Sequence, residues 1–316
     1  MAIDQATQQF LAQAQAANPD ARPMHESTPE EARIGALGTL DLIGPGVEMA
    51  EVENLELSSG AGQEPFQIRV LKPSAQPQGI IVYLHGGGWV VSDIAAYDTI
   101  GRQLAQHTDH TVVLVNYRKA PEHAYPAPAD DCWTALQWAD ENRAQLAAAG
   151  APLVIAGDSA GGNLAAAMTL RAREAEGPQI DYQVLVYPVT DADFTRPSYL
   201  DPENQLMLTT ESMEWFWNHY VPAERRTEQD VAPLHAESLA DLPEAFVILA
   251  EHDVLRDEGE AYAARLAEDG VTVETELFEG QMHGFLNMFN ILPSSAAVVE
   301  RMGEKIRQQV AKEVVR

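Results

Sequence analysis

Several scarcities narrow the reading of this 316-residue chain. It has one cysteine, Cys132, so an internal disulfide, and with it a stapled secreted scaffold, is excluded. Cys132 stands between Asp131 and Trp133 in a helical pattern and reads as packing. Lysine is limited to Lys72, Lys119, Lys305 and Lys312, and twenty Lys and Arg stand against forty-eight Asp and Glu, for a net charge of −28. Phosphate binding needs a basic face and none is visible, which excludes nucleic acid as a partner. There is no Gly-Lys-Ser/Thr and no G-x-G-x-x-G, so the phosphate-loop readings fail as well. No apolar run approaches the ~20 residues of a membrane span. Residues 1–18, rich in Gln and Ala, lack the basic start and apolar core of a secretory signal. A cytoplasmic protein without a membrane partner is the expectation. Its acidity fits an ordinary acidic cytosolic protein, which we favour, or solubility in high salt.

The rest of the composition is that of a globular protein, with 46% hydrophobic and 7% aromatic residues. The length suits two average domains or one α/β unit with insertions. Residues 3–17 have helical composition, and 18–48 are punctuated by Pro and Gly as far as Gly44-Pro45-Gly46, as in a lid segment. Val52–Leu57 and Phe66–Lys72 alternate like antiparallel strands joined by Ser58-Ser59-Gly60-Ala61-Gly62. From Gly79 the pattern changes to continuous apolar runs: Ile80–Leu84, Thr111–Val115, Pro152–Ala156, Gln183–Tyr187, Phe246–Ala250 and Val271–Phe278. Helical stretches near 97–108, 128–148, 161–175, 257–269 and 294–313 separate or follow them. Such alternation predicts an α/β fold with a mostly parallel sheet covered by helices on both faces. The interval Pro188–Pro243 is too long for a crossover and holds the aromatic run Trp215-Phe216-Trp217; we read it as an inserted helical cap.

The strand Val154-Ile155-Ala156 runs into Gly157-Asp158-Ser159-Ala160-Gly161 and then into a helical pattern. This is the G-x-S-x-G arrangement that holds a serine on a tight strand-to-helix turn with its hydroxyl lifted clear. In parallel α/β sheets the working groups lie just beyond the carboxyl ends of strands. Of nine histidines, His85, His252 and His283 meet that condition. The chain order Ser, acid, His makes His283 the base, with His252 the runner-up. Asp253, directly after Phe246–Ala250, is the acid that would orient His283. Asp257 is the alternative, more simply explained as a helix first-turn acid, and Glu251 and Glu258 are weaker candidates. His85-Gly86-Gly87-Gly88-Trp89, after the strand Ile80–Leu84, lets backbone N–H groups approach an oxyanion closely. Gly87, Gly88 and Ala160 are the three expected donors, with Gly86 conformational and His85 anchoring the loop by hydrogen bonding.

With these residues assembled, the chain resembles the hormone-sensitive-lipase-like family of α/β-hydrolases, over roughly residues 65–315. The likeness is carried by His85 to Trp89, Tyr117-Arg118-Lys119-Ala120-Pro121-Glu122-His123, Gly157 to Asn163, Tyr187-Pro188, Asp253 to Gly259 and His283-Gly284-Phe285. Lys119 departs from the apolar residue usual there and is expected to alter surface packing only. The resemblance implies an eight-stranded sheet, a helical cap built from the N-terminus and the insertion, no cofactor or metal, and hydrolysis of carboxylic esters. The expected division is a cap segment at 1–50, a catalytic domain at 51–188 and 244–316, and a cap insertion at 189–243.

The expected chemistry is that of a serine esterase: His283 takes the Ser159 proton, Ser159 attacks the acyl carbonyl, and water then releases the acid from an acyl-enzyme. His283 must be neutral for this, so activity should fall on acidification. Trp89, with Trp215 or Phe216 of the cap, is read as the wall of a compact apolar pocket for short to medium acyl chains. The same triad could serve amides or deacetylation. A non-catalytic small-molecule receptor is the rival of another class, weakened by the presence of His283. The partner is a small ester, and pairing through the exposed edge of the last strand would give a homodimer.

Overall fold

Continuous apolar runs form strands here because both faces of the sheet are covered. The computed structural model describes residues 2–19, 22–38 and 43–314. Eight strands, β1 (Glu51–Leu57), β2 (Phe66–Lys72), β3 (Gly79–Leu84), β4 (His110–Asn116), β5 (Leu153–Asp158), β6 (Tyr182–Val186), β7 (Ala245–His252) and β8 (Val273–Met282), lie in the order β1-β2-β4-β3-β5-β6-β7-β8. β2 runs antiparallel to both neighbours and the remaining pairs are parallel. The longer helices are α1 (Gln5–Ala17), α2 (Pro29–Leu37), α3 (Asp98–Thr108), α4 (Ala127–Glu141), α5 (Ala160–Glu174), α6 (Thr210–Tyr220), α7 (Arg256–Glu268) and α8 (Pro293–Val314).

Successive residues of the inner strands enter two separate cores, as the two-residue side-chain period of a strand requires. Ile80, Val82 and Leu84 of β3 cluster with Ile155 and Val247, Cys132 and Leu136 of α4, Leu164 and Met168 of α5, and Leu266 of α7. Ile81 and Tyr83 cluster instead with Val154, Val184 and Ile248, Leu104 of α3, and Val299 and Met302 of α8. Cys132 is fully buried, as its packing role required. No helix among the described residues is long and apolar enough to cross a membrane.

Local chemistry explains where helices start and stop. α2 begins at a capping box, with Thr28 and Glu31 each accepting from the other's backbone amide and Pro29 as the first helical residue. The single helix expected over 128–148 is instead α4 and a separate turn, Arg143–Leu146. Asn142 caps α4 at the break, with backbone φ −103° and ψ 15° and both its backbone and side-chain amides donating to Trp138 O, at 3.0 and 2.8 Å. The last strand is also displaced, ending at Met282 and not at Phe278. His283 therefore emerges straight from β8 instead of riding on a free loop. Lys119 is half-buried, its Nζ donating to Asn116 Oδ1 at 3.1 Å, and not the surface residue expected.

One buried ion pair joins the sheet's antiparallel end to a helix. Asp131 of α4, fully buried, accepts from Arg118 Nε at 2.9 Å, Nη2 at 2.8 Å and the Arg118 amide at 2.9 Å. The guanidinium also reaches Gln63 Oε1 and Ser59 Oγ, pinning the β1–β2 connection. Asp131→Ala would leave the Arg118 charge partly buried without its anion and is expected to cost about 3–5 kcal/mol. Urea unfolding should show a lower midpoint at unchanged slope; a midpoint equal to wild type would contradict this assignment.

Candidate active site

The site is built on the parallel pairing of β3 with β5, which sets Leu84 opposite Gly157. The segments that follow, His85 to Trp89 and Ser159, therefore leave the sheet side by side. Ser159 has φ 55° and ψ −121°, a strained conformation for a side-chain-bearing residue. Its amide donates to Val186 O of β6 at 2.9 Å, and its carbonyl accepts from Asn163 in the first turn of α5. The glycines on either side are needed by backbone contact. A Cβ on Gly157 would lie 2.3 Å from Gly161 O, and one on Gly161 would lie 2.0 Å from Leu84 O.

The structure brings Ser159, His283 and Asp253 together. His283 Nε2 is 3.0 Å from Ser159 Oγ, and His283 Nδ1 is 2.7 Å from Asp253 Oδ2. Asp253, fully buried, also accepts the Leu255 amide at 2.9 Å. With Nδ1–H donated to that carboxylate, Nε2 is left as the acceptor facing the serine hydroxyl. The Tyr187 ring, 4.6 Å away, packs against the imidazole.

The residues weighed as alternatives lie elsewhere. His252 ends β7, buried, with Nε2 4.0 Å from Glu251 Oε2. Asp257 accepts the Ser198 amide at 2.8 Å in the first turn of α7. Glu251 accepts the Gly280 amide at 2.7 Å. Glu258 is buried, accepts from the Thr190 amide and the Tyr199 hydroxyl, and is pushed up to about 8 by burial.

In the glycine loop, Gly86 N–H is already engaged by Asp158 Oδ1 at 3.1 Å and Tyr97 Oη at 3.0 Å. Among the described residues the amides of Gly87, Gly88 and Ala160 meet no protein acceptor. Gly87 and Gly88 have φ 119° and 56°, the region that favours glycine. A Cβ on Gly87 would come within 2.3 Å of Val91 O, and one on Gly88 within 2.1 Å of the Phe216 ring. His85 is buried, stacked on Tyr117 at 4.3 Å, with Nδ1–H donating to Gly86 O at 2.7 Å and its own carbonyl accepting from Tyr117 Oη at 2.8 Å. Burial, with Lys119 nearby, pushes its imidazole down to about 3.

The aromatic residues divide. Trp89, fully buried at φ 60°, stacks on Tyr220 at 4.2 Å and meets Trp217 at 4.9 Å, so it ties the loop to α6. Phe216 lies directly on Gly88, and Trp215, half-buried, meets Phe216 edge-on at 5.1 Å. Sequence reasoning missed Tyr97, Tyr83 and Asn287, which surround Asp158, and Arg33 of α2, which donates to Val90 O and Ala120 O beyond the glycine loop. None of these carries a local motif.

A nucleophile elbow, a histidine after the last strand and a glycine loop after β3 define an α/β-hydrolase. A family model described as the alpha/beta hydrolase fold matches residues 81–287. The carboxylesterase NlhH of Mycobacterium tuberculosis is 39% identical over 227 residues, 70% of this chain and 71% of that protein. An ethyl acetate hydrolase of Pseudomonas putida is 32% identical over 298 residues, 91% of this chain and 92% of its own. The solved structure of an ester hydrolase from the Lake Arreo metagenome superposes with a TM-score of 0.91 at 30% identity, covering 98% of this chain and 99% of that one. The chain belongs to the hormone-sensitive-lipase-like family of α/β-hydrolases and is a carboxylic ester hydrolase.

Two predictions follow from this geometry. Gly88→Ala is expected to lower kcat at least tenfold, and adding Phe216→Ala should restore part of the loss because the obstacle is a side chain. Gly87→Ala should not be restored by the same change, since its obstacle is the Val91 carbonyl; rescue of both, or of neither, in ester assays would refute the placement of Phe216. The second concerns His85, which stays neutral in the fold and takes up a proton only on unfolding below ~6.5. Its contribution to stability is thus complete above that pH and lost progressively as pH falls towards 3. Urea unfolding of His85→Gln between pH 6.5 and 4 should show a shallower decline than wild type; parallel declines would count against the buried neutral imidazole.

Proposed function

We propose that this esterase acts on short- to medium-chain esters, with Ser159 as nucleophile, His283 as general base and acid, and Asp253 orienting the imidazole. The single observation that carries the reading is the unbroken line from Asp253 Oδ2 through His283 to Ser159 Oγ, at 2.7 and 3.0 Å. The Ser159 proton passes to His283 Nε2 as Oγ attacks the acyl carbonyl. The tetrahedral oxyanion is held by the amides of Gly87, Gly88 and Ala160, the last at the N-terminal end of α5. Collapse expels the alcohol, which takes the proton back from His283. Water, deprotonated by the same nitrogen, then releases the acid from the acyl-enzyme.

Phe216 on Gly88 and Trp215 beside it crowd the space over the oxyanion loop, which supports a limit on acyl size. The ethyl acetate hydrolase among the relatives supports the same limit. We assign residues 1–50 and 189–243 to a cap over a catalytic domain of 51–188 and 244–316, supported by the contacts of Arg33 and of α6 with the loop after β3. We assign the enzyme's action to the cytoplasm, a reading with which a chain holding one buried cysteine and no internal disulfide is consistent. β8 is an edge strand with Leu277 exposed, and pairing there would give a homodimer.

The test is hydrolysis of p-nitrophenyl esters from acetyl to palmitoyl by wild type and Ser159→Ala. Wild type should peak at short or medium chains, and Ser159→Ala should lose on the order of 10⁴-fold or more in kcat. Activity that survives the alanine would mean another nucleophile, and a maximum at palmitoyl would refute the pocket.

A further inference from the structure

Beside Ser159 stands a second carboxylate that the mechanism above does not use. Asp158 is the last residue of β5, with its side chain fully enclosed on the face of the sheet opposite α5. Its Oδ1 accepts from the Tyr83 hydroxyl at 3.0 Å and from the Gly86 amide at 3.1 Å. Its Oδ2 accepts from the Tyr97 hydroxyl at 2.7 Å and faces Asn287 Nδ2 at 3.5 Å. These donors come from four separate places: the end of β3, the first peptide of the glycine loop, the residue preceding α3, and the turn after His283.

Hydrogen-bond accounting fixes the proton. The Tyr97 oxygen already accepts from the Gly86 amide at 3.0 Å and from Asn287 Nδ2 at 2.7 Å, so both its lone pairs are occupied. Its own proton must go to Asp158 Oδ2. Tyr83 and the Gly86 amide likewise donate to the carboxyl. The Gly86 amide and Tyr97 can only donate to Asp158, and Tyr83 directs its proton there as well, a setting that favours the anion. Burial opposes the charge and raises the carboxyl above its ordinary value, while the same hydrogen bonds pull it back.

We propose that Asp158 is a positioning residue for ester hydrolysis: as a buried anion it holds the glycine loop through Gly86 N–H and favours the positive charge that develops on His283 during attack. Glycine at 86 is needed for this, because a Cβ there would lie 2.5 Å from Asp158 Oδ2. The hydrogen bond from Gly86 sets the direction of the next two peptides, whose amides face the oxyanion. The Coulombic arm reaches His283 across the elbow, where the attraction between the two groups favours the ionised carboxylate. The titratable groups around Asp158 are Tyr83, Tyr97, Tyr117, Tyr187 and His283. Burial raises all four tyrosines well above their ordinary value, so they stay neutral through the working range.

The inference rests on the roles given to Ser159 and His283, and the test separates the two. Wild type, Asp158→Asn and Tyr97→Phe are compared on p-nitrophenyl butyrate, with kcat expressed per site titrated by a p-nitrophenyl alkylphosphonate. Asp158→Asn keeps the size and loses the charge; it should lower kcat per titrated site roughly 10- to 100-fold, with KM changed less than threefold. The acid limb of its kcat/KM profile should also move to lower pH, which a purely structural role would not produce. Tyr97→Phe removes one donor and the link to Asn287, and should lower kcat per site at least threefold at unchanged KM. Should Asp158→Asn fail to fold, Tyr97→Phe decides alone. A folded Asp158→Asn with wild-type kcat per site and an unmoved pH profile would overturn the proposal while leaving the triad intact. Loss of titratable sites in wild type itself would instead count against the nucleophile.

Discussion

Everything in the site depends on one backbone contact, the elbow of Ser159 pressed against the end of β3. Parallel pairing sets Leu84 beside Gly157, and the chain after Ser159 passes so close that only glycine at 161 clears the Leu84 carbonyl. Because β3 leads straight into the glycine loop, this contact fixes the distance between Ser159 and the proposed oxyanion donors before any side chain is considered. A parallel sheet delivers strand ends to one edge in this way, and the adjacent strand ends become adjacent catalytic segments. The strained backbone of Ser159 is tolerated because the sheet on one side and α5 on the other leave it no alternative.

Much of this was legible from sequence because it is local. The apolar runs of the inner strands, the glycines around Ser159 and the glycine loop each occupy a few consecutive residues. Asp253 and His283 were reachable one step further, since a parallel sheet restricts working groups to positions just past strand ends and the chain order does the rest. Asp158 was visible as a residue of the elbow, but its partners Tyr83, Tyr97 and Asn287 converge only in three dimensions. The packing of Trp89 was hidden for a related reason. A tryptophan following three glycines looks free to face a ligand, yet its left-handed backbone turns the ring away to stack on Tyr220. The break at Asn142 is a local cap within a continuous helical pattern, which apolar periodicity does not register.

The buried carboxylates near the site show how an acidic chain places negative charge indoors. Asp253 is held by His283 and the Leu255 amide, and Asp158 by two tyrosines and the Gly86 amide, whereas Glu258, pushed up to about 8 by burial, carries a proton at neutral pH. For Asp253 and Asp158, backbone, imidazole and phenolic donors replace water, and among the described residues no Lys or Arg contacts the carboxyl oxygens. A lysine or arginine in those places would compete with the imidazolium that forms during the reaction. Neutral donors hold the anions in position and leave their field directed at His283.

The stack of Trp89 on Tyr220 and Trp217 fastens α6 to the glycine loop. Swinging α6 away from the glycine loop would bring three large rings into water, a cost on the order of 10 kcal/mol. That is comparable to the whole stability of a domain of this kind. The helix is therefore a fixed roof and not a hinged door. Under the pocket proposed above, a different acyl preference would come from recarving the underside of α6 at Trp215 and Phe216, with the helix itself left in place.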